Sequence, residues 1–516
     1  MNQFLQWTEQ QSHLILLYFV LFFLFLLSVI RFNKPETNKY KLPPSPFKLP
    51  IIGNLHQLHG SPHRAFQSLA QKHGPIILLH LGKIPTLLVS SVDIAQEVMK
   101  TNDHVFSSRP ETDFPKRLLY GKDIAFAPYG EYWREVRKIC VLQLLSAKKV
   151  QSFRFIREEE INLMVDEIKK SPLSTSVNLS ELFVSLTYNI ICRVALGRKY
   201  DEGQGGRKFK AIFKEFMYLL GVSNMADLIP SLSWVNHLNG INARVEKNFR
   251  DIDTFLCEVV EENIEKQRRI GGDGSSEHEA ENFVDVMLGI EKDTSIGTPL
   301  ARDNTKAIIL DMFAAGTDTS SVVLEWAMSE LIRNPKIMEE VQKEVRDIAG
   351  GKPILNENDI EEMHYLKSVI KETLRLHPPL PLLVPRESME KVQILGYDIP
   401  AKTTVMINAF AIGRDPLWWD DPEKFWPKRF VNGGSASIDF KGLDFKFIPF
   451  GGGRRGCPGI VFAISILELS LANLLNIFDW ELPKDMDGKD LDMHESSGIT
   501  VHRKNDLLLT AKPHYY

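Results

Sequence analysis

Residues 450–459 read FGGGRRGCPG, from Phe450 to Gly459, and an apolar run, IVFAISILELSLANLLNIF, follows at once with the composition of a buried helix. Cys457 is one of four cysteines in 516 residues; Cys140, Cys192 and Cys257 lie far from it and from one another. A buried structural cysteine needs neither two arginines nor five nearby glycines. A thiolate just ahead of a helix gains from both. Helix N–H groups and the helix dipole stabilise negative charge there, and neighbouring arginines lower the thiol pKa. Glycines let the backbone come close to a flat cofactor.

Two chemistries compete for this stretch. Gly451-x-Gly453-x-x-Gly456 matches a dinucleotide fingerprint, with Asp479 downstream as its acid. That reading demands a strand before the loop and a βαβ unit after it, within the ~57 residues that remain. The other is a lone axial thiolate, which a haem iron carries where O–O cleavage is required.

Composition narrows the field. Hydrophobic residues make up 44% and charged residues 25%, as in an ordinary globular chain with a sizeable core. A net charge of −4 gives no basic field for nucleic acid. Four scattered cysteines form neither a disulfide framework nor a zinc cluster and suit a reducing compartment.

Residues 14–30, LILLYFVLFFLFLLSVI, carry no charge. As a helix they reach about 25 Å, the short end of a bilayer span. The start of the chain is not basic, no small-residue cleavage site follows, and Arg31, Lys34, Lys39 and Lys41 come next. This predicts a retained signal-anchor, with residues 1–13 lumenal and everything after residue 31 cytosolic. Residues 31–50 form a basic, proline-rich hinge with Pro43, Pro44, Pro46 and Pro50, and residues 51–516 form one catalytic body. That body reads as mainly α, with short β-like stretches at 76–81, 86–91 and 404–410, and glycine-rich breaks at 201–206 and 271–276 read as exposed connections.

Four further constellations stand out. AAGTDTS at 314–320 puts a glycine, hydroxyls and an acid in the middle of an apolar run that reads as a helix over about 301–333. KETLR places Glu372 and Arg375 at i,i+3 on one helix face, a pattern that alone says little. WREVR places Trp133 and Arg137 at i,i+4, and Arg386 stands in PLLVPRES.

FGGGRRGCPG resembles the F-x-x-G-x-R-x-C-x-G signature of the cytochrome P-450 superfamily at Phe450, Gly453, Arg455, Cys457 and Gly459, and the other elements follow in that family's order over residues 40–510. The resemblance implies the cytochrome P-450 fold, mainly α with small β-sheets and an N-terminal single-pass membrane anchor. It implies haem b with Cys457 as the axial thiolate, and Arg455, Trp133, Arg137 and Arg386 on the propionates. Thr319 then bonds the bound dioxygen and Asp318 relays protons. Glu372 and Arg375 form a lock with Arg429 of PKRF (427–430), where Lys428 replaces the family's acid. By family position Ala314, Ala315, Leu382, Leu383, Val384, Ile499 and Thr500 line the substrate pocket. The anchor, the proline hinge and AGTDT are most similar to plant endoplasmic-reticulum members of the A-type, or 71, clan.

That clan implies hydroxylation of a small apolar specialised metabolite, such as a terpenoid, alkaloid, coumarin or aldoxime. Desaturation, cyclisation or dehydration by the same haem is the alternative. Electrons come from NADPH–cytochrome P-450 reductase, with cytochrome b5 as an optional donor, and Arg134, Lys138, Lys446 and Arg454 are candidates for a basic docking face. A dinucleotide-dependent oxidoreductase and a non-catalytic haem sensor are the readings from other classes.

Overall fold

The computed structural model describes residues 41–172, 175–200, 204–222, 224–270, 281–292, 300–431, 437–483, 486–496 and 498–515, with 18–20, 22–24 and 27. The expected lumenal segment, most of the expected anchor and the glycine-rich stretch at 271–276 lie outside these residues. Tyr18, Phe19, Val20, Phe22, Phe23, Leu24 and Leu27 are helical with exposed side chains. From residue 41 the hinge is pinned to the body: the Lys41 backbone exchanges hydrogen bonds with Asp398, and Pro44 O accepts from Leu78 N at 2.9 Å.

Among the described residues, the helices that matter to the site are α1 Glu131–Ile139, α2 Arg154–Lys170, α3 Leu179–Leu196, α4 Gln204–Gly221, α5 Ile241–Ile270, α6 Arg302–Arg333, α7 Pro335–Ala349, α8 His364–Leu376 and α9 Ile460–Ile477. The glycine-rich stretch at 201–206 is therefore not a loop throughout, since α4 begins at Gln204. Local sequence sets several ends. Asn178 Oδ1 caps α3 by accepting from Glu181 N, and Gly197, at φ 77°, stops it in a left-handed turn. Pro335 opens α7 and Gly350, at φ 55°, closes it.

The three β-like stretches hold short strands, at Ile76–Leu81, Ile84–Val89 and Thr404–Ile407. Strands β1 Ile76–Leu81, β2 Ile84–Val89, β3 Val177–Asn178, β4 Arg386–Glu387, β5 Thr404–Ile407, β6 Phe478–Glu481 and β7 Leu508–Pro513 form two sheets, ordered β1-β2-β5-β4 and β3-β7-β6. Strand β5 runs parallel to β2, with Leu87 opposite Val405, and antiparallel to β4. A short C-terminal hairpin pairs Glu495–Ser496 with His502–Arg503.

The main core lies among α2, α3, α6, α8 and α9, and a smaller one lies under the first sheet. Among the described residues, α3, α6 and α9 are long and apolar enough to cross a membrane, but 61–72% of each apolar window is buried inside the fold. They are interior helices. AAGTDTS leaves α6 unbroken, because tertiary packing on both sides outweighs the weak helix preference of its glycine and hydroxyl residues.

Candidate active site

The FGGGRRGCPG stretch folds as a tight loop ahead of α9. Gly456 N donates to Gly453 O at 3.0 Å, and Cys457 N donates to Phe450 O at 2.9 Å. Phe450 packs edge-on against Phe440. Gly453 takes φ 64°, and a Cβ there would stand 2.4 Å from both Asp103 Oδ1 and Met99 O. Gly459 precedes the first turn of α9, and its N–H is directed at the Cys457 thiol. The Gly459 N–H and the Arg137 charge lower the thiol pKa, as the sequence led one to expect. Burial pushes Cys457 above its ordinary value and outweighs the Gly459 N–H and the Arg137 charge. A coordinated metal cation reverses that balance and deprotonates the thiol outright.

The dinucleotide reading fails on topology. No strand enters the loop, and α9 leads into β6 of an antiparallel sheet rather than a βαβ unit. Asp479, its would-be ribose ligand, is bonded to Arg346 at 2.8 Å.

Arginines crowd the site. Arg455 donates to Ser107 O (2.6 Å), Ile124 O (3.2 Å) and Ala127 O (2.7 Å), and its guanidinium lies 3.9 Å over the Trp133 ring. Trp133 donates to the same Ile124 carbonyl at 2.9 Å. Arg386 reaches Gly452 O at 2.6 Å and Asp103 at 3.2 Å, while Arg137 donates to Gly456 O. Arg109 joins them, bonded to Ala125 O, Val384 O and Pro385 O; no motif had pointed to it, since a single arginine in a loop reads as a solvated charge.

Arg109, Arg386 and Arg455 are buried, and burial holds their pKa values down; repulsion from neighbouring arginines lowers Arg109 and Arg455 further, the latter to about 9, while Asp103 partly offsets burial at Arg386. Asp103 and Asp123 are the acids among them, too few for four guanidiniums. Such a cluster seeks anions. With Arg137 and Arg386 bonded to the cysteine loop itself, the residues present fit haem b, whose iron takes one thiolate and whose edge carries two carboxylates.

On α6, every residue from Asn304 to Ile332 is buried except Ala314, Ala315, Gly316, Asp318 and Thr319. The AGTDT stretch is therefore the accessible patch of a helix otherwise packed all round from Asn304 to Ile332. Thr319 donates its hydroxyl to Ala315 O at 2.6 Å. Gly316 lets α3 approach closely, because a Cβ there would lie 2.5 Å from Ile191 Cδ1.

Leu382, Leu383 and Ile499 line a cleft of about 360 Å³. They share it with Met217, Tyr218 and Val222 from the end of α4, which family position had not suggested. Val384 is half-buried, with its carbonyl taken by Arg109. Thr500 is buried, and its hydroxyl donates to Asp318.

The lock forms in full. Glu372 accepts from Arg375 Nε and Nη2 at 2.8 Å each, from Arg429 Nε at 3.1 Å and from Trp426 N at 2.8 Å. Lys428 turns the other way and pairs with Glu340 of α7 at 2.7 Å on the surface. Of the basic docking candidates, Arg134 and Lys138 are exposed on α1. Arg454 pairs with Asp103 at 2.9 Å and Lys446 with Asp444 at 3.5 Å.

Known proteins resemble this chain over most of its length. The family model described as Cytochrome P450 matches residues 43–510. The chain is 51% identical over 515 residues to Cytochrome P450 736A117 of Prunus mume, covering 98% of each chain. It is 54% identical to Cytochrome P450 71A1 of Persea americana, over 90% of this chain and 91% of that one. Norfluorocurarine oxidase of a Strychnos species is 46% identical, over 95% and 96%. A solved zebrafish cytochrome P450, in a structure with abiraterone, superposes with a TM-score of 0.73 at 24% identity, covering 88% of this chain and 99% of that one, a likeness of fold.

Proposed function

The chain belongs to the cytochrome P450 family, as a plant A-type monooxygenase carrying haem b on a cysteine thiolate, and from that membership we propose that it hydroxylates a small apolar specialised metabolite with electrons from NADPH–cytochrome P450 reductase. In this reading Cys457 is the thiolate, and residues 14–30 anchor the body on the cytosolic side of the endoplasmic reticulum membrane. The observation that carries it is the union of one thiol and an anion-seeking arginine cluster: Arg137 and Arg386 bond the loop that bears Cys457, and Arg455 is part of that loop.

When bound, haem b supplies dioxygen activation and the insertion of one oxygen atom into a C–H bond. The chain supplies the rest. Cys457 would hold the iron, and Arg455, Arg137, Arg386 and Arg109 would hold the propionates, with the Trp133 ring stacked against the Arg455 guanidinium. Thr319, at the accessible face of α6, holds a proton for the oxygen site, and Asp318 one residue before it passes protons on. Leu382, Leu383, Ile499 and Met217 exclude water and select an apolar body, and Tyr218 adds one hydroxyl to that wall. The likeness to norfluorocurarine oxidase supports oxidation of a small organic substrate.

The test is expression with a plant reductase. The reduced, CO-treated protein should show the red-displaced Soret band of a thiolate-bound haem, and Cys457→Ser should abolish it. Metabolites that shift the haem spin state should then be consumed with NADPH. A band that survives Cys457→Ser would overturn the assignment, and CO binding without NADPH consumption across all substrate classes would point to a haem sensor.

A further inference from the structure

Asp318 occupies one of the accessible positions of α6, and its carboxylate is engaged by the C-terminal hairpin. Thr500 donates its hydroxyl to Oδ2, and His502 Nε2 lies 3.0 Å from Oδ1. Thr500 Oγ1 and His502 Nε2 stand 3.2 Å apart and close a triangle. Of these side chains Asp318 is 21% and His502 35% exposed, so the pair is neither sealed in the core nor lost on the surface.

We propose that His502 is a positioning residue for the reaction: a charge-dependent latch that keeps the Asp318 carboxylate on the C-terminal hairpin while the imidazole is protonated and lets it turn toward the oxygen site when the imidazole is neutral. An imidazolium holds a carboxylate by charge and hydrogen bond together. A neutral imidazole keeps at most the hydrogen bond and loses the attraction between the two charges. This rests on Asp318 as the proton-passing acid of α6.

The surroundings favour the charged ring. Burial works to lower the His502 pKa, but the hydrogen bond and charge of Asp318 and the charge of Glu325, also on α6, outweigh it and hold the value above 6.5. Glu325 is buried and accepts from Ser180. The other charges nearby are already engaged: Arg503 donates to Ser329 at 2.8 Å, and Glu495 across the hairpin is bonded to His63 and Arg64. Since the folded-state pKa is raised, the ion pair is complete below the ordinary histidine range and is lost as pH rises through the raised value.

The holoenzyme with reductase tests this. NADPH oxidation and peroxide release are followed from about pH 6 to 9, a range that spans histidine titration. Wild type should show a limb in which NADPH oxidation rises with pH. His502→Gln, with no charge to lose, should lack the limb, and His502→Arg, charged throughout, should stay at the low-pH rate. Independently, ¹³Cε1-histidine NMR of the reduced CO complex should give one resonance, absent from His502→Gln, that titrates above the ordinary range and shifts down in Asp318→Asn. A resonance indifferent to Asp318, or a wild-type limb that persists in His502→Gln, overturns the latch. If Asp318→Asn alters neither turnover nor peroxide release, the proton role of Asp318 falls instead.

Discussion

Glu372 and Arg375, one turn apart on α8, are joined by two parallel hydrogen bonds of 2.8 Å, and neither side chain is exposed to solvent. The remaining guanidinium hydrogens go to Gly413 O (2.5 Å), Pro422 O (2.7 Å) and Lys424 O (3.1 Å), so the charge is spent on the segment that leads to Arg429. A sequence pair with no diagnostic value of its own becomes, once buried, the joint between α8 and the chain approaching the cysteine loop.

Removing one partner of this pair should therefore be severe. Glu372→Ala leaves Arg375 and Arg429 buried without their anion, an expected loss of about 3–5 kcal/mol. The expected readouts are a lower Tm and a smaller fraction of chain retaining haem. Glu372→Gln, which keeps an acceptor, should fall between wild type and alanine.

Neighbouring positions in PKRF should separate cleanly. Lys428→Ala removes only a half-exposed pair with Glu340 and should change stability by less than about 1 kcal/mol. Arg429→Ala removes a buried partner of Glu372 and exceeds that several-fold. Equal melting temperatures for the two variants would contradict the geometry.

Gly453→Ala should cripple cofactor retention without a change of charge. At φ 64° an alanine is strained, and its Cβ would collide with Met99 O and with Asp103, which itself holds Arg386 and Arg454. The expected outcome is loss of the thiolate-haem Soret band. Gly74→Ala, also at positive φ but with open space around the added carbon, should keep it.

Asp123 and Asp311 predict a pH effect. Burial raises both carboxyl pKa values above the ordinary range, and the charge of Asp123 raises Asp311 further, against the backbone N–H groups that donate to them, Phe126 N to Asp123 and Ile124 N to Asp311. A pKa raised on folding contributes stability that is complete below about pH 4 and is lost as pH rises toward the folded value. Asp311→Asn should thus narrow the difference in Tm between mildly acidic and mildly alkaline buffer. An unchanged difference would show that this pair does not govern it.

The parts legible in the sequence are those whose chemistry lies within a few residues. FGGGRRGCPG carries its ligand, its arginine and the glycines of its turns in one stretch, and the apolar runs on both sides of AGTDT outline α6 almost to the residue. Helix and loop spacing sufficed there, because neighbours in the chain are neighbours in space. Lys428 shows the limit, since its departure from the family's acid could not be read until the side chain was seen to leave the lock for Glu340.

Only the tertiary structure could turn lone charges into a site. Arg109 meets Val384 across 275 positions, Arg386 meets Asp103 across 283, and His502 meets Asp318 from a hairpin at the far end of the chain. The physical reason is the same in each case. The ease with which a group holds charge is set by how completely packing removes it from water and by what partner packing supplies, and elements distant in sequence decide both.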